Sequence, residues 1–366
     1  RAAGVDLRVL SPTPWVPRLL WASPRMRRRG AKPARAVRDG IVAHYPRFVQ
    51  PPRRILFAHV GDVAARHLRR ISWLAQEGFD LVHAHQALPD GAIAAAIARD
   101  LGVPYVVTVH GADVNSALAG GGAAARPPPP GLNGAAAVVV VSAVLARRLA
   151  AFVMLDVVHV VRNGLPADLT PVEPAGAFPG RRVIMTAGRL VEGKGHEHVI
   201  EALARLHRAH DDLVCVIAGE GVLRRRLAAR ATELGVGERV HLVGRLDHAD
   251  LLRMMARADV VAVPSAPEGF GLVHLEAMAQ GTPVIGCLDQ GPADFIEDGV
   301  SGFLVPYGDV DALTRALATV LADPQRARAV GDAGRRVAES FTWDDNARRM
   351  LDIYAAALTE GPPHAR

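Results

Sequence analysis

Short apolar runs recur along this chain, separated by longer stretches of helical periodicity. In the first half the runs are VDLRVL (5–10), RILFAH (54–59), DLVHAH (80–85), PYVVTV (104–109), AAVVVVS (136–142) and VVHVV (157–161). In the second half they are RRVIMTAG (181–188), LVCVIAG (213–219), RVHLVG (239–244), ADVVAVPS (258–265) and TPVIGC (282–287). A strand with one wet face alternates apolar and polar residues. Most of these runs do not alternate, which predicts parallel strands buried on both faces. Patterns such as DGAIAAAIARDLG (90–102) supply the helices between them. Strands alternating with helices make an α/β fold of doubly wound sheets.

The chain has 366 residues, enough for about two domains. The stretch NGLPADLTPVEPAGAFPGR (163–181) holds four prolines and little periodicity, and it marks the seam. Two Rossmann-like domains facing a cleft are therefore expected, at 1–165 and 180–344, joined by a linker at 166–179. The run AGGGAAARPPPPGLNG (119–134) reads as a surface loop, because strand-like sequence resumes after it.

Charge changes this picture in one place. Residues 1–180 carry 21 Lys+Arg against 11 Asp+Glu, and the rest of the chain carries 22 against 26. The excess peaks at 25–38, inside SPRMRRRGAKPARAVRDG, which suits a solvated face or an anionic membrane surface. No aromatics interleave the cluster and no nucleic-acid-binding signature accompanies it, so nucleic acid is not an expected partner. No apolar run reaches the roughly 18 residues of a membrane-spanning helix. Cys215 and Cys287 each lie in or beside an apolar run and read as buried free thiols in a reducing compartment.

Three segments carry candidate chemistry. GRLVEGKG (188–195) follows a strand and reads G-x-x-x-x-G-K. A P-loop needs Ser or Thr at the next position, to place a hydroxyl on Mg²⁺, and this chain has Gly195. The Mg-nucleotide reading therefore fails, but the backbone reading survives. A Gly-rich turn before a helix offers free N–H groups and a positive dipole end to an anion, and Arg189 and Lys194 can add two cations. The second segment, PEGFGLVHLEAMAQGTPVIG (267–286), is a turn, a helix closed by Gly281, and a strand. It sets Glu268 in the turn and Glu276 inside the helix, at the carboxyl edge of the sheet where doubly wound folds bind ligands. The third, VVTVHGADVN (106–115), ends a strand at Val109 and puts His110, Gly111 and Asp113 at a sheet edge.

In this order the segments resemble glycosyltransferase family 4, the retaining nucleotide-sugar transferases of the GT-B fold. The family's G-R-L-x-x-x-K-G appears as GRLVEGKG, and its E-x-F-G-x-x-x-x-E-A-M-A-x-G-x-P-V-I as EGFGLVHLEAMAQGTPVI. Its H-G-x-D appears as HGAD, its G-x-G turn as AGEG (218–221), and its D-G-x-x-G-x-L-V as DGVSGFLV (298–305). The resemblance runs from about residue 5 to residue 357. It implies that Arg189 and Lys194 hold the donor diphosphate, with Gly188 and the turn Gly219, Glu220, Gly221 beside it. It implies that Glu268 meets hydroxyls of the donor sugar, next to the amides of Gly269, Phe270, Gly271 and Leu272. Glu276 would bind the ribose, and Val243, Gly244, Arg245 and Leu246 would lie against the base. His110, Gly111 and Asp113 would stand near donor sugar and acceptor, with His110, Asp113, Arg189, Lys194 and Glu268 as the catalytic set. A C-terminal helix, 345–360, is implied to cross back onto the first domain. Family members begin with a strand, a Gly-rich loop and a helix, and this chain opens near the end of that helix.

The activity this implies is transfer of a hexose from a UDP- or GDP-sugar to a glycan, lipid-linked or small-molecule acceptor, with retention. No metal and no cofactor is implied, and the location is cytoplasmic with peripheral contact to the inner membrane face through residues 25–38. The one Asp-x-Asp, Asp309-Val310-Asp311, sits at a helix start and reads as a cap. The pairs in HAH (83–85) and HEH (196–198) lack further ligands for zinc. A family member that binds nucleotide sugar without turnover, and a sugar-nucleotide epimerase of the same fold, are the alternative classes.

Overall fold

The computed structural model describes residues 4–15, 27, 31–38, 40–48, 63, 66, 68, 76–111, 131–150, 157–167 and 169–361. The strand expected at 54–59, most of the loop 119–134 and Asp113 lie outside the described residues. In the first half, β1 (Arg8–Leu10), β2 (Thr13–Pro14), β3 (Arg35–Arg38), β4 (Ile41–His44) and β5 (Arg47–Phe48) form two small sheets. One has the order β1-β4-β3, with β1 parallel and β3 antiparallel to β4; the other is the pair β2-β5. Two of these, β3 and β4, come from the basic stretch and its neighbour, which the apolar runs did not mark. Of the cations in that stretch, Arg27, Lys32, Arg35 and Arg38 are described and exposed.

The main sheet of the first half is parallel, in the order β6 (Val82–His85), β7 (Tyr105–Val109), β8 (Ala137–Val140), β9 (Val158–Val160). Every residue of β7 and β8 is buried, as their mostly apolar sequences, interrupted only by Thr108, lead one to expect. Helix α1 (Ala92–Leu101) crosses from β6 to β7 and stops at Gly102, which adopts φ 71°. Helix α2 (Ala143–Leu149) follows β8, capped by Ser142, whose side chain accepts from Leu145 N. A cavity of about 560 Å³ separates β1 from β6. Consecutive residues line it, Leu7–Leu10 on one side and Val82–His85 on the other, so both strands turn their edges to it.

The second half is one six-stranded parallel sheet built from β10 (Arg182–Ala187), β11 (Leu213–Ala218), β12 (Val240–Gly244), β13 (Val260–Ala262), β14 (Val284–Cys287) and β15 (Phe303–Val305). Its order is β12-β11-β10-β13-β14-β15. Strand order reverses between β10 and β13, and that switch point is where an open α/β sheet leaves a crevice at its carboxyl edge. Helices α3 (His196–Leu206), α4 (Arg224–Glu233), α5 (His248–Arg257), α6 (Leu272–Ala279), α7 (Val310–Ala322) and α8 (Pro324–Glu339) cover its faces. Cys215 and Cys287 are buried and free, and burial pushes both thiols up to about 12. Asp309 caps α7 by accepting from Ala312 N at 2.8 Å, as the sequence suggested.

Helix α9 (Trp343–Glu360) returns to the first half. Its Ile353 and Ala357 pack with Val106, Ala137, Val139 and Val161, and its Tyr354 hydroxyl meets His83 Nδ1 at 2.6 Å. Among the described residues no helix is long and apolar enough to cross a membrane. The chain at 163–165 lies against the start of α9, where Leu165 N donates to Phe341 O at 2.8 Å. A Cβ on Gly164 would lie 2.3 Å from Trp343 N. Gly164→Ala is therefore expected to cost about 1–3 kcal/mol in urea unfolding. An unchanged midpoint would show that α9 does not dock this tightly.

Candidate functional site at the switch point

The crevice expected at the switch point is present as a cavity of about 370 Å³, lined from both halves of the chain. One wall is the turn after β10. Gly188 N donates to Ala218 O at 3.0 Å, and Gly219 N donates to Gly244 O at 2.7 Å, so the turns after β10, β11 and β12 stack backbone on backbone. A Cβ on Gly219 would sit 1.8 Å from Gly188 O, and its φ of 152° is one that residues with a side chain rarely adopt. The Gly-rich pattern read from the sequence is thus a packing requirement at this edge.

Within the turn, His196 acts as a strut. A carbonyl can only accept, so Nε2–H donates to Arg189 O at 3.2 Å, and Nδ1 of the neutral ring accepts from the Thr186 hydroxyl at 3.1 Å. Burial, with a further contribution from the Lys194 charge, pulls this histidine down to about 4. The first histidine of HEH therefore shapes the loop. Arg189 and Lys194 both line the cavity, and the Arg189 guanidinium has no ion-pair partner among the described residues.

The opposite wall is the turn after β13. Glu268 lies 2.6 Å from Lys194 Nζ and accepts from Ser265 Oγ at 3.1 Å. Burial alone would raise its carboxyl, but the Lys194 ammonium and the Ser265 hydroxyl outweigh that, and its pKa is lowered. Its backbone N–H donates to Gln290 Oε1 at 2.9 Å, so the side chain of Gln290 helps to hold the turn. Gly271, at φ 98°, then starts α6, so the first amides of that helix face the cavity where Leu272 and Val273 line it. The Phe270 ring packs on Phe295 and Phe341, with centroids 5.6 and 6.1 Å away. Behind the turn, buried His274 donates from Nε2 to Val263 O at 3.1 Å, and its Nδ1 has no hydrogen-bond partner among the described residues.

The first half supplies the third wall. His110 follows β7 and lines the cavity, as expected. A Cβ on Gly269 would lie 2.3 Å from His110 O, and one on Gly111 would lie 2.9 Å from Gly269 Cα. Ser142 Oγ donates to Gly269 O at 2.7 Å. The two halves thus meet backbone to backbone beside the catalytic candidates.

Glu276 stands apart from this cluster. It takes a hydrogen bond from His248 at 3.1 Å, on the side where α5 begins after the 243–246 segment. Glu220 pairs with Arg224 at 3.6 Å and approaches Gly244, so Gly219–Gly221 and Val243–Leu246 are neighbours on the outer part of the edge. Sequence reasoning weighed His85 and His196 only as possible metal ligands, and it missed Ser265, Gln290 and the role of His274. His196 carried a further signal, since it sits at the start of a helix directly after a Gly-rich turn.

The sequence profile of the family described as Glycosyl transferases group 1 matches residues 172–337, and that of Glycosyltransferase Family 4 matches residues 1–169. D-inositol 3-phosphate glycosyltransferase 1 of Catenulispora acidiphila is 31% identical over 355 residues, covering 88% of this chain and 82% of that protein. Glycogen synthase of Mycobacterium tuberculosis is 36% identical over 201 residues, 55% of this chain, and the match spans about half of that enzyme, 49%. In three dimensions the chain superposes on sucrose-phosphate synthase from Thermosynechococcus elongatus with a TM-score of 0.74 at 24% identity, covering 90% of this chain and 87% of that one. That likeness gives the fold, GT-B.

The buried, neutral His196 yields a pH test. Its native pKa lies below the unfolded value near 6.5, so the unfolded chain takes up the proton first as pH falls. Stability from this group is complete above about 6.5 and drains away toward about 4, by up to about 1.4 kcal/mol per pH unit. His196→Gln should show a shallower loss of unfolding free energy between pH 7 and 5 than the parent protein. Equal slopes would contradict a neutral strut.

Proposed function

Because this chain belongs to the group 1 glycosyltransferases, we propose that it moves a hexose from a nucleoside-diphosphate sugar to a glycan, lipid-linked or small-molecule acceptor, with retention and without a metal ion. The observation that carries this reading is the convergence of Lys194, Arg189 and the amino end of α6 on one cavity. Departure of a nucleoside diphosphate builds negative charge on the β-phosphate oxygens. Fixed cations and helix amides aimed at that charge lower the barrier without reorganising at the moment of reaction. They supply the neutralisation that a divalent ion supplies elsewhere.

In this reading the Lys194–Glu268 pair is the resting state of two ligand contacts. An ammonium has three donors, so Lys194 can keep Glu268 while turning toward a diphosphate oxygen. Glu268, held ionised, accepts from sugar hydroxyls beside Gly269 and Gly271. Glu276 takes the ribose hydroxyls in place of His248, and the 243–246 segment covers the base. His110 faces the sugar from the first half. Asp113, and the peripheral contact of residues 25–38 with an anionic membrane, belong to the same proposal. Unchanged sedimentation with neutral and anionic vesicles would remove the membrane part.

Calorimetric titration with UDP and GDP tests the core of it. One of the two should bind, and Lys194→Ala should weaken it about 10- to 100-fold, the loss of one charge-assisted contact. With the matching sugar donor, Lys194→Ala should lower kcat by about 10²- to 10³-fold. Absence of binding by either nucleotide would overturn the reading.

A further inference from the structure

Behind His110, the transfer scheme leaves unused a set of polar side chains in the first half. His83 and His85 are two apart on β6 and share one face of the sheet, with ring centroids 4.6 Å apart. Thr108 of β7 is the register partner of His85, and His110 follows one residue beyond the end of that strand. His83 is held at both nitrogens, Nδ1 by the Tyr354 hydroxyl of α9 at 2.6 Å and Nε2 by the Thr108 hydroxyl at 2.8 Å. His85 Nδ1 lies 3.1 Å from His110 Nε2, with the two rings nearly parallel at 15°.

We propose that His85 is a positioning residue of the transferase site, which through its hydrogen bond to His110 fixes the tautomer and the orientation of that ring at the cavity. A hydrogen bond between two imidazoles holds one proton between the facing nitrogens. When both rings are neutral, the nitrogen of His85 that carries its proton dictates the nitrogen that carries the proton on His110. Burial keeps His83 neutral, with the nearby His85 and His110 adding to the effect, down to about 3. Burial and then His110 lower His85 as well. His83 cannot swing to relieve His85, since Tyr354 and Thr108 hold it. Among the described residues of the first half, His110 is the histidine that lines the cavity, and His85 is the member of the set that touches it by a hydrogen bond.

The geometry does not depend on the proposed activity, but its consequence for turnover does, and the test separates the two. Ring-nitrogen NMR spectra of the free protein near neutral pH, with His110 assigned by its loss in His110→Ala, report the tautomer directly. The parent should show one dominant His110 tautomer. His85→Ala should show averaged His110 nitrogens, and His85→Asn, which can place an amide near the former Nδ1, should restore a single form. With the sugar donor, His85→Ala should lower kcat about 10- to 100-fold with KM for donor within about twofold. His85→Asn should recover most of the loss, and His85→Ala should add nothing in a His110→Ala background. Unaltered His110 spectra in His85→Ala, an Asn variant no better than Ala, or additive losses in the double variant would each overturn the proposal. If the parent neither binds nor turns over nucleotide sugar, the transferase reading falls, and the spectra still decide whether His85 orders His110.

Discussion

The site depends on a backbone contact that leaves no room for side chains. Gly269 lies against His110 O on one side, and Gly291 lies against Phe270 and Gly269 on the other, where a Cβ would fall 2.4 Å from Phe270 Cα. The turn 267–271 is thereby wedged between the first half of the chain and the 290–291 loop. Its position decides where Glu268 points, where α6 begins, and how near His110 comes to Lys194. A methyl group at Gly269 would part the two halves where their functional groups converge.

Below the turn, the Phe270, Phe295 and Phe341 rings form a cluster with centroids 5.6 to 6.1 Å apart. Aromatic packing of this kind combines a large buried area with edge-and-face geometry, so it resists displacement. Phe341 precedes α9, the helix that covers the first sheet, and Arg162 lies over its ring at 5.7 Å. The same few residues therefore anchor the cavity floor and join the two halves. Polar groups sit above that apolar base, and three pairs of them join across the crevice or at the neighbouring strand end: Lys194 with Glu268, Glu268 N–H with Gln290, His85 with His110.

Much of this was legible in the chain. The strands of the second sheet were readable because burial on both faces leaves unbroken apolar runs, as in LVCVIA of β11. The two-cation turn was readable because G-R-L-V-E-G-K-G joins glycines to basic residues after a strand. Strands β3 and β4 were not readable, since Arg35, Arg38 and His44 interrupt short half-exposed segments. The pairing of Lys194 with Glu268 spans 74 positions and exists only because β10 and β13 are neighbours. The role of His85 was hidden for the same reason. HAH shows two histidines on one face, but the mate of the second comes from the next strand.

The central claim is that the cavity between Lys194, Glu268 and the start of α6 holds the donor diphosphate. A crystal structure with the bound nucleoside diphosphate tests this most directly. The account predicts diphosphate oxygens within about 2.7–3.2 Å of Lys194 Nζ and of the first amides of α6. A diphosphate bound elsewhere, with Lys194 still engaged only by Glu268, would contradict it.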